Sequence, residues 1–393
     1  MERILTPFIQ LCLISLLARL GYQMARSPVL PRFAQDLGAP PELIGFILAA
    51  STITGVVGKL PAGAFSDVLG RKRMLTLGAF FFCGPPFLYP LVEDPIGLLL
   101  LRFLHGFATA IFSPVATAVV ADLFQKNRGA RVGWFSASGE MGSACGPMIG
   151  GLLLASTHSF AATYLLVGAV GLLPMVLTST LPLPETSTPE ETPLGDRWKQ
   201  FLAGIREVIR DHTILIASVT EAFMFLGVGA LVGFLPLYAK DRGLSDVDVG
   251  VILGMQVASA MLSKPLTGRL SDRVGRKPII LLGLICCAAI LPLVTLVDTF
   301  FTLLVLCMIF GLGTALVTPS TTALVADLCR AGRHGAALGV FGSIWDTGEA
   351  LGPIVAGFLV VGLGYTQAFT MITLVLVLGI LLFALVVEDP SRR

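Results

Sequence analysis

Twelve apolar runs, each about long enough to cross a lipid bilayer, occupy most of this 393-residue chain. A bilayer core of about 30 Å needs about 20 apolar residues in a helix. The chain is 55% hydrophobic and only 13% charged, which leaves too few polar groups to cover a surface in water. This composition excludes a water-soluble enzyme and predicts an all-α integral membrane protein with twelve transmembrane helices. The runs lie near 7–31, 43–62, 74–92, 96–120, 132–155, 161–181, 213–238, 246–267, 278–297, 300–325, 335–360 and 365–387.

Lysine and arginine are distributed unevenly over the predicted loops. With the N-terminus inside, the cytoplasmic segments hold 19 of the 27 basic residues, the outside loops hold three and the spans hold five. Cytoplasmic loops of membrane proteins carry such an excess. We therefore predict a multi-pass plasma-membrane protein with both termini in the cytoplasm. The compact loops favour a bacterial inner membrane.

One long polar stretch, 182–212, separates the first six spans (1–181) from the last six (213–393). Its first part is rich in proline, threonine and glutamate, which is typical of a flexible linker. Its second part places Trp198, Phe201 and Ile205 at helical intervals, and this spacing predicts an amphipathic helix on the inner leaflet. This helix could be a simple tether or a regulatory element.

The chain is an internal duplicate with an offset of 205 residues. Residues 114–124 match 319–329 at seven of eleven positions. The loop after span 2 has the same glycine, aspartate and basic residues as the loop after span 8. Two repeated halves of this kind are typical of transporters that alternate access to a site near the middle of the membrane.

The repeated loop carries a resemblance to a known family. Its spacing of glycine, aspartate, glycine and basic residues resembles the signature loop of the major facilitator superfamily. The resemblance covers all twelve spans and implies two pseudo-symmetric six-helix bundles, with the loop acting as a gating latch. Plain topogenic charge would explain the basic residues but not the glycine and aspartate spacing. The residues of this gating motif are Gly63, Asp67, Gly70, Arg71, Lys72 and, in the second half, Gly268, Asp272, Gly275, Arg276 and Lys277.

Span 5 contains a second pattern, which span 11 repeats in part. It is similar to the glycine-proline signature of the proton-driven antiporters in the same superfamily. Glycines four residues apart form a ridge on which another helix can pack closely, and generic small-residue packing is the simpler alternative. The residues of this antiporter motif are Gly133, Gly142, Gly146, Pro147, Gly150 and Gly151.

Span 4 contains Arg102, His105 and Gly106, which resemble the superfamily's Arg-x-x-Gln-Gly motif with histidine in place of glutamine. The second half has Cys307 and Gly311 at the positions equivalent to Arg102 and Gly106, so the arginine occurs in one half only. An arginine present in one half of a symmetric scaffold indicates a function. His105 could be either a packing residue or a proton relay.

Charged side chains inside the spans are functional candidates, because a charge in lipid costs at least about 2.5 kcal/mol. A carboxyl in a shared cavity can carry a proton and release it to a substrate or an arginine. We predict Asp346 and Glu349 as the leading proton sites, followed by Glu221 and Glu140, with Arg102 and Arg19 as counter-charges. A static buried ion pair is the alternative for each acid. The predicted substrate-binding residues are Arg19, Tyr22, Arg26, Arg102, Glu221, Gln256, Asp346 and Glu349.

The sequence also narrows the energy source and the partners. It contains no phosphate-binding glycine loop and no metal-ligand spacing of cysteines or histidines, so we expect no cofactor and a proton gradient as the energy source. A net charge of +2 gives no basic face for nucleic acid. The expected partners are a small-molecule substrate, protons and the lipid bilayer, and we expect a monomer.

The resemblance to twelve-span drug:proton antiporters implies a proton-coupled exporter of small amphiphilic molecules. The arginines of the first half leave a second interpretation open, a dedicated exporter or proton symporter of an anionic or zwitterionic metabolite such as a siderophore or an organic acid. A non-transporting sensor or lipid-handling protein on the same scaffold is a third. The acids and hydroxyls show no spacing that indicates catalysis.

Overall fold

The computed structural model describes residues 2–124, 127–183, 211–328 and 334–387, and this part of the chain is helical without strands. The predicted amphipathic helix after span 6 lies outside the described residues. Two short 3-10 turns follow the fourth and tenth helices, at Pro85–Leu91 and Val294–Leu296. The α-helices are α1 Glu2–Arg26, α2 Val29–Asp36, α3 Pro41–Leu69, α4 Arg71–Cys83, α5 Pro95–Leu123, α6 Arg128–Thr157, α7 Phe160–Ser179, α8 His212–Asp241, α9 Asp246–Val274, α10 Arg276–Leu293, α11 Phe300–Leu328 and α12 His334–Val386.

Ten helical segments of the described residues are long and apolar enough to cross a membrane. Two features relate this number to the twelve predicted spans. The last two predicted spans both lie in α12, which consists of two helices that meet at a kink at Gly364, where φ is 79°. The helix α6 is 30 residues long, but its many glycines and serines make it less apolar than the ten. The all-α membrane fold predicted from the sequence is confirmed.

Helix ends follow from local sequence. Asp94 accepts hydrogen bonds from the backbone N–H groups of Ile96 and Gly97, and Asp211 does the same for Thr213 and Ile214, so both begin a helix as side-chain caps. Gly70 and Gly275 have φ values of 92° and 109°, which L-residues with a side chain rarely adopt. The glycines of the two signature loops therefore separate α3 from α4 and α9 from α10.

The chain forms two compact units. The first contains α1–α7 together with Ser245–Gly254, which includes the first turns of α9. The second contains α8, the remainder of α9 and α10–α12. The boundary between the units therefore falls inside α9, and the sequence-based division at 182–212 stays a prediction.

Candidate functional site

Arg102 on α5 is completely enclosed in the first unit, with no exposed surface. One terminal nitrogen, Nη2, donates to the hydroxyl of Ser51 at 2.5 Å. The other, Nη1, donates to the hydroxyl of Tyr89 at 3.3 Å and lies 3.4 Å from Nδ1 of His105. Its Nε has no hydrogen-bond partner. The guanidinium is thus held by neutral polar groups from three different elements.

Gly106 explains why Ser51 on α3 comes so close to Arg102. A Cβ at position 106 would lie 2.6 Å from Cβ of Thr54, 2.7 Å from the carbonyl oxygen of Ser51 and 2.8 Å from its Cα. Only a residue without a side chain lets α5 rest on the backbone of α3 at this distance. In the Arg-x-x-His-Gly sequence, the glycine therefore allows α5 and α3 to pack closely, and this packing brings Ser51 within hydrogen-bond distance of Arg102.

Aromatic rings surround the guanidinium. Its Cζ lies 5.7 Å from the centre of the Tyr22 ring, within the range of a cation–π contact. The rings of Tyr89 and Tyr164 stack in parallel, with centres 4.0 Å apart, and the Tyr164 hydroxyl donates to the carbonyl of Ala25 at 3.2 Å. We call the set Tyr22, Ser51, Tyr89, Arg102, His105 and Tyr164 the arginine cluster. Its members are at most 5% exposed.

His105 is a fully enclosed member of the cluster. Its Nδ1 lies 3.0 Å from the Tyr89 hydroxyl and 3.4 Å from Nη1 of Arg102, and its Nε2 has no hydrogen-bond partner. Because arginine nitrogens only donate, Nδ1 is the acceptor and the proton of the neutral ring sits on Nε2. The arginine cluster forms no ion pair between Arg102 and a carboxylate of the described residues, so its charge faces dipoles and rings only.

Ser15, Arg19, Tyr22 and Arg26 recur at helical intervals and form a polar stripe along one face of α1. Arg19 donates from Nη2 to the Ser113 hydroxyl at 3.3 Å, so this stripe contacts α5. A Cβ on Gly139 would lie 2.8 Å from the Ser15 hydroxyl and 3.5 Å from Cγ of Arg19, so α6 touches the same stripe. Arg26 and Glu140 are half-buried, on α1 and α6.

The glycines of the antiporter motif form the seam between α6 and α1. A Cβ on Gly146 would lie 2.5 Å from Cβ of Gln23, and one on Gly150 would lie 2.6 Å from the carbonyl oxygen of Met24. A Cβ on Gly142 would come still closer to the carbonyl oxygen of Leu16. Gly133 differs from the other three, because a Cβ there would meet no atom within 4 Å.

Two other residues of the motif, Pro147 and Gly151, face the start of α9 within the first unit. A Cβ on Gly151 would collide with the carbonyl of Asp246, and one on Gly250 would collide with the carbonyl of Pro147. Asp246 also accepts from Nη1 of Arg32 at 2.6 Å, in an ion pair in which each side chain is 16% exposed. Arg32 directly follows the first predicted span, and its partner lies 214 residues further on, so the sequence did not show this pair.

The signature loop forms the same ion pair in both units. Arg71 donates to the Ser66 hydroxyl at 2.6 Å and to Asp122 at 3.3 Å. In the second unit, Arg276 donates to the hydroxyl of Ser271 and to Asp327, each at 3.3 Å, and also pairs with Asp272.

The other motif residues are placed as follows. Lys277 donates to the carbonyl of Ala384 at 2.7 Å. A Cβ on Gly63 or Gly268 would meet no atom within 4 Å. The side chain of Asp67 lies outside the described residues, and Lys72 is exposed in the first turn of α4.

Glu221 on α8 is the most enclosed acid of the predicted site, at 1% exposure. The hydroxyls of Thr318 and Thr321 on α11 lie beside its carboxyl. Thr321 already donates to the carbonyl of Val317 at 2.9 Å, and neither carboxyl oxygen of Glu221 has a hydrogen-bond partner in good geometry. A buried polar group in this state is uncommon in native proteins, which makes Glu221 a candidate for a functional residue.

Asp346 and Glu349, the leading proton sites of the sequence analysis, lie on α12. Asp346 is 7% exposed and Glu349 is half-buried. Next to them, Trp345 packs on Phe225 of α8, with ring centres 4.6 Å apart. A Cβ on Gly229 would collide with the carbonyl of Glu349, so α8 and α12 are in direct backbone contact.

Gln256, a predicted substrate-binding residue, and Ser259, three positions later on α9, both contact α11. Gln256 is 5% exposed, its Oε1 has no partner, and a Cβ on Gly311 would collide with its backbone carbonyl. Ser259 donates to the carbonyl of Met308 at 2.8 Å. Ser259 therefore makes an internal contact between helices, whereas Gln256 has a free acceptor.

An apolar cavity of about 210 Å³ lies between α8 and α12. Its lining includes none of the predicted site residues. On α8, the lining residues follow Glu221 by one, two and five positions, so they lie on a different face of the helix. The lining residues are Ala222, Phe223, Leu226, Ile344, Thr347, Gly348 and Leu351.

The sequence analysis did not identify Ser51, Tyr89 and Tyr164 as partners of Arg102. One signal was available for Ser51, because the offset of the internal duplicate pairs it with Gln256, which was predicted as a site residue. Tyr89 lies in a proline-rich turn and Tyr164 in an apolar span, and neither position shows its partner in the sequence.

The comparisons with known proteins agree with this architecture. Residues 11–261 and 217–393 match the family model described as Major Facilitator Superfamily. Multidrug resistance protein 1 of Bacillus subtilis (strain 168) is 26% identical over 356 residues, which cover 88% of each chain. Quinolone resistance protein NorA of Staphylococcus aureus (strain MRSA252) is 24% identical over 342 residues, which cover 84% of each chain.

A solved structure shows the same fold at low sequence identity. The crystal structure of a variant of the nucleoside transporter NupG superposes with a TM-score of 0.85, covering 96% of this chain and 99% of that chain at 16% identity. Together with the family model, which spans almost the whole sequence, this likeness confirms the predicted family and fold. The chain is a multi-pass membrane transporter that belongs to the Major Facilitator Superfamily.

Proposed function

We propose that this protein is a proton-driven antiporter that exports small amphiphilic organic molecules, with Glu221 as its principal proton carrier. The observation that carries the proposal is the enclosed carboxyl of Glu221, which lies beside the hydroxyls of Thr318 and Thr321, with Lys264 as the cation that attracts it. Enclosing an ionised carboxylate that forms no ion pair is costly. A bound proton or a cationic substrate removes that cost, so the two compete for the same side chain.

The relatives support export of drug-like molecules. Multidrug resistance protein 1 and quinolone resistance protein NorA match most of this chain, and their names describe resistance to drugs. Among the predicted acids, Glu221 takes first place, ahead of Asp346 and Glu349, because its burial is the most complete. Asp346, Glu349 and Glu140 stay in the proposal as secondary proton sites.

A dedicated transporter of an anionic or zwitterionic metabolite is the second candidate. The observation in its favour is the half-buried Arg19, which brings a cation to the polar stripe of α1 next to Ser113. In this candidate, Arg19, Tyr22 and Arg26 bind the anionic group. We further propose a monomer in a bacterial inner membrane, with both termini in the cytoplasm and no cofactor.

The test uses purified protein in liposomes that enclose a pH-sensitive dye, under an imposed proton gradient. The panel contains amphiphilic drugs, organic anions and siderophore-like chelators. We expect several unrelated drugs to drive protons in the opposite direction. Proton flux with one anion alone, or in the same direction as that anion, would support the metabolite transporter instead.

The variant Glu221→Gln tests the proton carrier, because it keeps the size of the side chain and removes its charge. We expect substrate-driven proton flux to fall to the level of empty liposomes, while binding of a fluorescent drug persists. Glu93→Gln is the matched control, since Glu93 is an exposed glutamate. Full coupling in Glu221→Gln would show that another acid carries the proton.

A further inference from the structure

Arg102 is a fixed charge inside the first unit. Arginine stays protonated in proteins, so it cannot itself pick up or release a proton. Its hydrogen bonds go to Ser51, Tyr89 and His105, which are all neutral side chains. Among the described residues, no carboxylate forms an ion pair with it. The charge is therefore present in every state of the cluster and is not cancelled by an adjacent carboxylate.

The groups around Arg102 that could hold a proton face its positive charge. Nδ1 of His105 accepts from Nη1 of Arg102 at 3.4 Å, so a second proton on that atom would break this contact and face the charge of the guanidinium. Tyr22 and Tyr164 close the sides with their rings, and Ser51 is fully enclosed. The other cations near the cluster, Arg19 and Arg26 on α1, have the same sign.

The second unit shows that the fold does not need this charge. Gly311 rests on the backbone of Gln256 as Gly106 rests on that of Ser51, and the 205-residue offset pairs both members of the two contacts. The residues equivalent to Arg102 and His105 are Cys307 and Phe310, both fully buried. The same helix contact thus forms around uncharged side chains.

We propose that Arg102 is an electrostatic barrier that keeps protons from passing through the first unit, so that protons cross the membrane only by way of the second unit. In a low-dielectric interior, a fixed positive charge repels other cations over several ångströms. Charged groups exclude protons from membrane pores by this effect. The proposal rests on one part of the proposed function, namely that protons drive transport. A transporter that leaked protons would dissipate the gradient that drives it.

The test is the proton leak of liposomes in the absence of any substrate. A potassium gradient with valinomycin sets an inside-negative potential, and an enclosed pH-sensitive dye reports proton entry. Arg102→Met removes the charge and keeps much of the side-chain volume, and we expect its leak to be about tenfold faster, equivalent to a barrier lower by ~1.4 kcal/mol. Arg102→Lys keeps the charge and should stay as tight as the unmodified protein.

Two further variants separate charge from packing. His105→Glu places a carboxylate beside Arg102 and cancels its charge, so we expect the same leak as in Arg102→Met. Tyr89→Phe removes a hydrogen bond and keeps the charge, so its liposomes should remain tight. Each variant is first checked for a single symmetric peak in size-exclusion chromatography. If Arg102→Met does not fold, the leak of His105→Glu liposomes tests the proposal instead.

Several outcomes would overturn the barrier. Folded Arg102→Met or His105→Glu liposomes as tight as the unmodified protein would show that the charge does not hold protons back. A leak in Arg102→Lys or Tyr89→Phe equal to that of Arg102→Met would assign the effect to packing. The proposed function fails separately, if drugs drive no proton flux in the unmodified protein, since the leak is measured without substrate.

Discussion

At the scale of single residues, the two units carry opposite kinds of buried ionisable group. The first unit encloses Arg102 among hydroxyls and aromatic rings. The second unit encloses Glu221 beside two threonines, without a hydrogen-bond partner. An arginine keeps its charge, whereas a carboxyl can exchange its charge for a proton, which is why our proposals give Arg102 a static role and Glu221 the exchange of protons.

Gly106 gives a residue-scale prediction about stability. Gly106→Ala would bring a methyl group to within 2.6–2.8 Å of Thr54 and of the Ser51 backbone. Backbone atoms yield less readily than side chains, and we expect a loss of about 1–3 kcal/mol in the free energy of unfolding. The measurement is unfolding of the purified protein in detergent. Gly129→Ala is the control, because a Cβ there meets no atom within 4 Å, and equal stability of the two variants would contradict the packing argument.

At the scale of helices, the antiporter motif of α6 divides into two parts. Gly142, Gly146 and Gly150 lie against the backbone of α1, whereas a Cβ on Gly133 would reach open space. The spacing of the motif predicts one ridge, and the structure shows that close packing concerns the middle of the helix. The first glycine of the motif is not needed for this seam.

This division leads to a prediction for the seam between α1 and α6. Gly146→Ala places its methyl group 2.5 Å from Gln23 and 3.0 Å from the Leu20 carbonyl, so we expect lower thermal stability. Gly133→Ala should keep or slightly raise stability, since alanine favours the helix by about 0.5–1 kcal/mol over glycine. A stability loss in Gly133→Ala as large as in Gly146→Ala would show that the seam extends further than described.

Hydropathy and spacing predicted the helices well, for physical reasons that are local. A run of about 20 apolar residues needs no distant partner to be recognised. The break that hydropathy predicts between the last two runs, at 361–364, coincides with the kink at Gly364, where two helices meet within α12. The sequence could not show the partners of Arg102, because Ser51 approaches it from α3, 51 residues away in the chain.

At the scale of the whole molecule, the first compact unit includes a short segment from the second half of the chain. Ser245–Gly254 belongs to the first unit, although it follows α8 of the second. Within the first unit, this segment is fixed by backbone contacts at Gly151 and Gly250 and by the ion pair of Arg32 with Asp246. Asp246 is also the first residue of α9. A negative side chain at this position is stabilised by the positive end of the helix dipole.

The ion pair gives a prediction at this scale. Arg32 and Asp246 are only 16% exposed, so their attraction is screened less than that of a surface pair. We expect a double-mutant cycle of Arg32→Gln and Asp246→Asn to give a coupling energy of about 1–2 kcal/mol, between the values typical of exposed and buried pairs. Unfolding in increasing SDS measures it. Strictly additive effects of the two substitutions would show that the pair does not hold the segment.

The paired contacts Gly106–Ser51 and Gly311–Gln256 describe how the two copies of an ancestral repeat have diverged. Both copies inherited the same joint between neighbouring helices, while the side chains around it changed from Arg102 and His105 to Cys307 and Phe310. Leu16 stands where the other copy has Glu221. A chain built from two first copies would have two arginines and no counterpart of Glu221, so the halves share an ancestry and a shape but can no longer substitute for each other.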